Sequence, residues 1–163
     1  MKGLVVRNPW AWCIGQASVD PCAKMVENRS WSTAVRGDIA IITGRALDRA
    51  AFDHPMVRLT VDFWACGMPV SGVPPWEQRP GAVTSVADLY DICGYGPEFP
   101  EIDCGCGDPW AGGGLFHLQF RNVRVLPEPV PVRGWQGLRD LPGDVEAAVI
   151  AGLPGVRGEC AGC

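Results

Sequence analysis

The stretch Lys24-Met25-Val26-Glu27-Asn28-Arg29-Ser30-Trp31 holds the side chains best suited to chemistry. As a short β-strand it would alternate its faces, with Lys24, Val26 and Asn28 on one side and Met25, Glu27 and Arg29 on the other. A turn after Lys24 would let the ammonium swing toward Glu27. A lysine, a carboxylate and an arginine would then meet at a strand end, close enough to tune one another's protonation. Lys24 and Glu27 have the types needed to activate water or to shuttle a proton to a leaving amine. The other reading of the same residues is a solvated charged edge.

The cysteines are the second candidate. Cys104-Gly105-Cys106 and Cys160-Ala161-Gly162-Cys163 form a C-x-C and a C-x-x-C. Together they could supply four thiolates to a tetrahedral structural zinc, with glycines letting the backbone fold tightly around it. Scattered free thiols are the alternative. Cys13 and Cys22 read as helix-face and loop thiols, and Cys66 and Cys93 give no signal. No cofactor is expected for catalysis.

The elements that must position these residues follow from composition and pattern. A chain of 163 residues suits one domain, with residues 1–143 as its body and 144–163 as a C-terminal helix and Cys-containing tail packed on it. With 47% hydrophobic and 20% charged residues it can bury an ordinary core. The 21 Gly and 15 Pro favour turns over long helices. A net charge of −4 argues against gripping a long duplex by phosphate neutralisation, but not against a nucleotide or short single strand. No apolar run approaches a membrane span, and the N-terminus lacks an export signal, so a cytoplasmic protein with reduced thiols is expected.

Along the chain, residues 3–7 predict a strand. Asn8 and Pro9 open a helix running to about Ala17. Ile39-Ala40-Ile41-Ile42-Thr43 predicts a strand buried on both faces. Residues 47–65 read as a helical region broken at Pro55, and 67–80 as a loop holding Trp76. A long strand over 81–92, a second loop over 94–114 and a strand over 115–126 bent near Arg121-Asn122 follow. Asp144 would cap a short last helix. The sum is an α+β fold, a small mixed β-barrel flanked by two or three helices.

The octet resembles the signature of the ASCH domain family, part of the PUA-like β-barrel superfamily. The likeness extends to Asn8-Pro9-Trp10-Ala11-Trp12, Arg36-Gly37-Asp38-Ile39-Ala40-Ile41-Ile42, Pro109-Trp110-Ala111, Phe116-His117-Leu118 and Pro129-Val130-Pro131-Val132-Arg133-Gly134, in the family's order. The chain departs from it at Asp20-Pro21-Cys22-Ala23, where the family carries a Gly, and at Thr43, where many members carry a His.

The resemblance implies a PUA-like barrel with a cleft for RNA or a modified nucleotide. Lys24 and Glu27 would be its catalytic candidates, and Trp10, Asn28, Arg29, Trp31, Trp110 and His117 its nucleotide-binding ones. Tryptophan faces stack on bases, while Asn, Lys and Arg read base edges and phosphates. Some family members are hydrolases, of the N4-acetylcytidine amidohydrolase or ribonuclease type, although the amidohydrolases place a Thr where Glu27 stands. Others occur in transcriptional coregulators, which implies a protein-interaction adaptor as a further alternative.

Overall fold

The computed structural model describes residues 1–18, 20, 22–67, 76 and 81–154. Its elements in order are β1 (Lys2–Asn8), α1 (Trp10–Gly15), β2 (Val26–Arg29), β3 (Gly37–Leu47), α2 (Pro55–Gly67), β4 (Ala82–Cys93), β5 (Phe116–Pro131), β6 (Leu138–Asp140) and α3 (Gly143–Gly152). Short 3₁₀ turns cover Gln16–Ser18 and Arg49–Asp53.

The six strands make one mixed sheet in the order β2-β5-β4-β3-β1-β6. β1 and β3 are parallel; every other pairing is antiparallel. β3 explains the unbroken apolar run: Ile39 and Ile41 enter one core with Leu4, Leu89 and Leu118, while Ala40 and Ile42 enter a second with Val83, Leu126 and Val149. Alternation across a strand covered on both faces needs apolar residues at every position. Val149 brings α3 onto the second core.

The expected barrel is not formed by the strand pairings, which run from an edge at β2 to an edge at β6 without closing. The sheet nevertheless curls hard. Strands lie about 4.8 Å apart, so β1 would stand about 19 Å from β2 in a flat sheet. Arg29 Nη2 on β2 instead donates to Val5 O on β1 at 2.7 Å. A side chain, rather than a ladder of backbone bonds, spans the opening.

Helix expectations hold in outline. α1 is shorter than expected and its N-cap is Pro9 rather than Asn8, although Asn8 Oδ1 accepts from Trp12 N at 3.2 Å. The helical region is in two pieces, Arg49–Asp53 and α2, and the break falls at Pro55, which opens α2 as suits a residue with no N–H to lose. Asp144 lies inside the first turn of α3 and makes no side-chain cap. β5 runs through the predicted bend, where Asn122 takes a φ of 50°. No helix among the described residues is long and apolar enough to cross a membrane.

Candidate functional site

The loop before β2 is pinned by Lys24 N, which donates to Cys13 O at the end of α1 at 3.2 Å. β2 then pairs with β5 so that Asn28 lies opposite His117 and Arg29 opposite Phe116. Alternation sends Glu27 and Arg29 to one side and Val26 and Asn28 to the other. Lys24 swings onto the Glu27 side. Its Nζ lies 3.1 Å from Glu27 Oε2, and Arg29 Nη2 lies 3.0 Å from Glu27 Oε1. Lys24 Nζ also donates to Val26 O. Lys24 is 1% exposed and Glu27 8%, so these are buried charges held by one another.

Above them lies a cavity of about 260 Å³ lined by Arg7, Trp10, Lys24, Glu27, Asn28 and Arg29. That falls just under the roughly 300–1,000 Å³ of pockets for drug-sized ligands, and suits one small ring or phosphate-sized group. Lys24, Glu27 and Arg29 sum to one positive charge. Arg7 at the rim is paired with Asp48, whose Oδ2 also accepts from Trp10 Nε1 at 3.1 Å. Arg29 Nε is buried and has no hydrogen-bond partner among the described residues. A second groove, of about 290 Å³ beside Trp12 and Trp64, has no charged residue in its lining among the described residues.

The tryptophans divide into wall and rim. Trp110 is 3% exposed and forms wall: its ring stacks on His54 at 5.6 Å and meets Trp10 edge-on at 6.3 Å. Lys24 Nζ sits between, 5.6 Å from the Trp10 centroid and 5.8 Å from that of Trp110. Such cation–π contacts favour a desolvated ammonium. Trp31 stands behind Arg29, whose guanidinium lies 5.9 Å from its ring. Asn28 faces the cavity's edge with its amide already engaged: Nδ2 donates to Trp110 O at 2.8 Å, and Oδ1 accepts from Gly112 N at 3.0 Å. Of the residues expected in the cleft, Trp10, Lys24, Glu27, Asn28 and Arg29 meet at the cavity. Trp110 and Trp31 back it, and His117 does not reach it.

His117 belongs instead to a second group. Cys93, Cys104, Cys106 and His117 bring their ligand atoms within 4.8 Å of one another and could hold a metal ion. His117 Nδ1 lies 3.6, 3.2 and 3.6 Å from the sulfurs of Cys93, Cys104 and Cys106, and the Cys93 and Cys104 sulfurs are 3.5 Å apart. Zinc bonds of about 2.3 Å to sulfur and about 2.0–2.1 Å to nitrogen put tetrahedral ligand atoms about 3.6–3.8 Å apart. The donor set therefore fits zinc in type, and these four separations, 3.2–3.6 Å, lie at or just below the tetrahedral ones. His117 Nε2 lies 2.8 Å from Gly112 O, which can only accept. The proton thus sits on Nε2 and Nδ1 keeps its lone pair for the metal. Gln119 Nε2 donates to Cys93 Sγ at 3.0 Å.

Burial would raise the Cys104 thiol, but hydrogen bonds from the backbone and side chain of Cys106 and from Cys93 outweigh it and hold Cys104 below its ordinary value. Burial, and then the bond to Cys104, push Cys93 up. Cys13 is a plain core thiol, pushed up to about 12 by burial.

Of the expected tetrad, Cys104 and Cys106 belong to this group, and Cys160 and Cys163 lie outside the described residues. The two members of the group that the sequence did not point to as metal ligands, Cys93 and His117, face each other across the β4–β5 ladder. The available signal was a Cys and a His at the two ends of a long loop that carries a C-x-C.

No protein-family model matches this chain, and no curated protein matches it in sequence.

Proposed function

We propose that this α+β chain is an ASCH-like domain, its curled sheet a counterpart of the PUA-like barrel, and that it binds RNA or a modified nucleotide. The observation that carries this is the buried chain Lys24–Glu27–Arg29 at the base of a ring-sized cavity. Lys24, Glu27 and Arg29 leave one net positive charge there for an anionic or carbonyl oxygen of a nucleotide, and Trp10 supplies an aromatic surface. Base–aromatic stacking contributes about 1–3 kcal/mol per base. The Cys93, Cys104, Cys106 and His117 group holds a structural zinc that fixes the loop behind the cleft.

A fluorescently labelled single-stranded RNA octamer titrated into the protein tests the binding. Arg29→Ala and Trp31→Ala should each weaken it about tenfold, equivalent to about 1.4 kcal/mol. Wild-type affinity in both variants would remove the reading.

The Lys24–Glu27 contact also supports a hydrolase reading, in which this pair moves a proton. Binding is the better supported function, because each oxygen of Glu27 already holds a cation. Release of cytidine from N4-acetylcytidine by wild type, lost in Lys24→Ala, would reverse that preference.

A further inference from the structure

The two groups of side chains share a wall. His117 Nε2–H is held by Gly112 O, Gly112 N–H by Asn28 Oδ1, and Trp110 O by Asn28 Nδ2. Trp110 in turn donates Nε1–H to Cys22 O at 3.0 Å and backs the Lys24 ammonium. An unbroken path of bonds and packing therefore joins a metal ligand to the floor of the cleft. The loop that carries Cys104, Cys106, Trp110 and Gly112 has little else to order it. Tyr95, Phe99 and Ile102 are 51%, 49% and 44% exposed, and only Trp110 among its large apolar side chains is buried. Segments with few buried apolar contacts open most readily.

We infer that a metal at Cys93, Cys104, Cys106 and His117 and a nucleotide in the Lys24–Glu27–Arg29 cleft strengthen one another's binding, through Gly112, Asn28 and Trp110. With metal bound, Cys104 and Cys106 are tied to β4 and β5, Gly112 stays on Asn28, and Trp110 stays behind Lys24. Without it, the loop is released, Asn28 loses both partners, and the cleft must be reordered when ligand arrives. That ordering cost is the coupling, and linkage makes it reciprocal. The ligand half of this rests on the nucleotide reading above; the structural half does not.

The test uses the full chain, zinc-loaded and metal-depleted, in hydrogen exchange and in titration with the RNA octamer. On depletion, amides of residues 104–114 and 24–29 should lose protection while those of 39–42 and 83–89 keep it. Octamer affinity should fall about tenfold, within the 5–150-fold range of allosteric couplings, and saturating octamer should tighten zinc by the same factor. In Asn28→Ala the octamer affinity should no longer respond to zinc. Absence of bound zinc, equal octamer affinity with and without it, exchange that stops at 104–114, or full coupling in Asn28→Ala would each overturn the inference. If the octamer fails to bind even the zinc-loaded wild type, the nucleotide reading falls and the exchange pattern alone decides the linkage. Should depletion unfold the whole sheet, zinc-loaded Asn28→Ala decides: chelator competition should show severalfold weaker zinc, and unchanged zinc affinity overturns the proposal.

Discussion

Lys24 Nζ and Glu27 Oε2 lie 3.1 Å apart with both side chains nearly out of water. Glu27 is the common partner of two cations, so the three charges are unequal in what their removal leaves behind. Glu27→Ala strands Lys24 and Arg29 together in a desolvated site, whereas Lys24→Met leaves Glu27 with Arg29 and puts an apolar chain between two indoles. Breaking a buried pair from one side costs about 3–5 kcal/mol. At 2–4 °C per kcal/mol for a chain of this size, Glu27→Ala should lower Tm by about 6–20 °C. Lys24→Met should lower it by markedly less in the same calorimetric scan, and an equal loss would mean that Glu27 is not the hub.

Some of this arrangement was legible beforehand. Lys24 and Glu27 are near in sequence, and one local turn suffices to join them. Ile39 to Ile42 announce a strand covered on both faces because each of two cores takes alternate residues. What was not legible depends on register between distant segments. Cys93 meets His117 only because β4 and β5 pair as they do on either side of the 94–114 loop. His117 was expected in the cleft, but it lies opposite Asn28 in the β2–β5 ladder and shares that residue's face, away from Glu27 and Arg29. The reach of Arg29 to Val5 reports the curl of the whole sheet, and no local pattern encodes it.

The ligand set of the metal group separates two arrangements of thiols. Each of Cys93→Ser, Cys104→Ser, Cys106→Ser and His117→Gln should cost bound zinc by elemental analysis. Cys22→Ser and Cys66→Ser, both exposed and outside the group, should leave one zinc per chain. The double variant Cys160→Ser/Cys163→Ser should also keep it, and loss of zinc there would restore the tetrad expected from sequence. A chelator should lower the Tm of wild type, since a metal bound only by the folded chain stabilises it.

Gly94 follows Cys93 at a φ of +92°, where a side chain is strained. A Cβ there would stand 2.2 Å from Leu115 O, inside any tolerable contact, and that carbonyl precedes the strand carrying His117. Gly94→Ala should therefore destabilise the fold by about 1–3 kcal/mol in urea unfolding. It should also weaken zinc in chelator competition, because Cys93 and His117 are pushed out of register. Gly107 takes a φ of +63° with nothing near its would-be Cβ. Gly107→Ala should pay the backbone strain alone, with a smaller effect on zinc.

His54 provides a prediction in pH. Its ring stacks on Trp110 and meets Trp10 edge-on at 5.5 Å, and its Nδ1 accepts from Met56 N at 3.3 Å. Burial lowers its pKa from the ordinary 6.5, and the positive charge of Lys24 lowers it further. The folded state thus prefers the neutral ring, while the unfolded chain takes up a proton near the ordinary value. Stability from this group is complete above about pH 6.5 and declines as the pH falls toward the lower folded value, because the unfolded state then binds more protons. Urea unfolding of zinc-saturated protein at pH 7.5, 6.5 and 5.5 should show wild type losing more stability than His54→Phe, which keeps an aromatic ring against Trp110 but has nothing to titrate. Parallel pH dependences for the two proteins would show that the ring is not held neutral by the Lys24 side of the cleft.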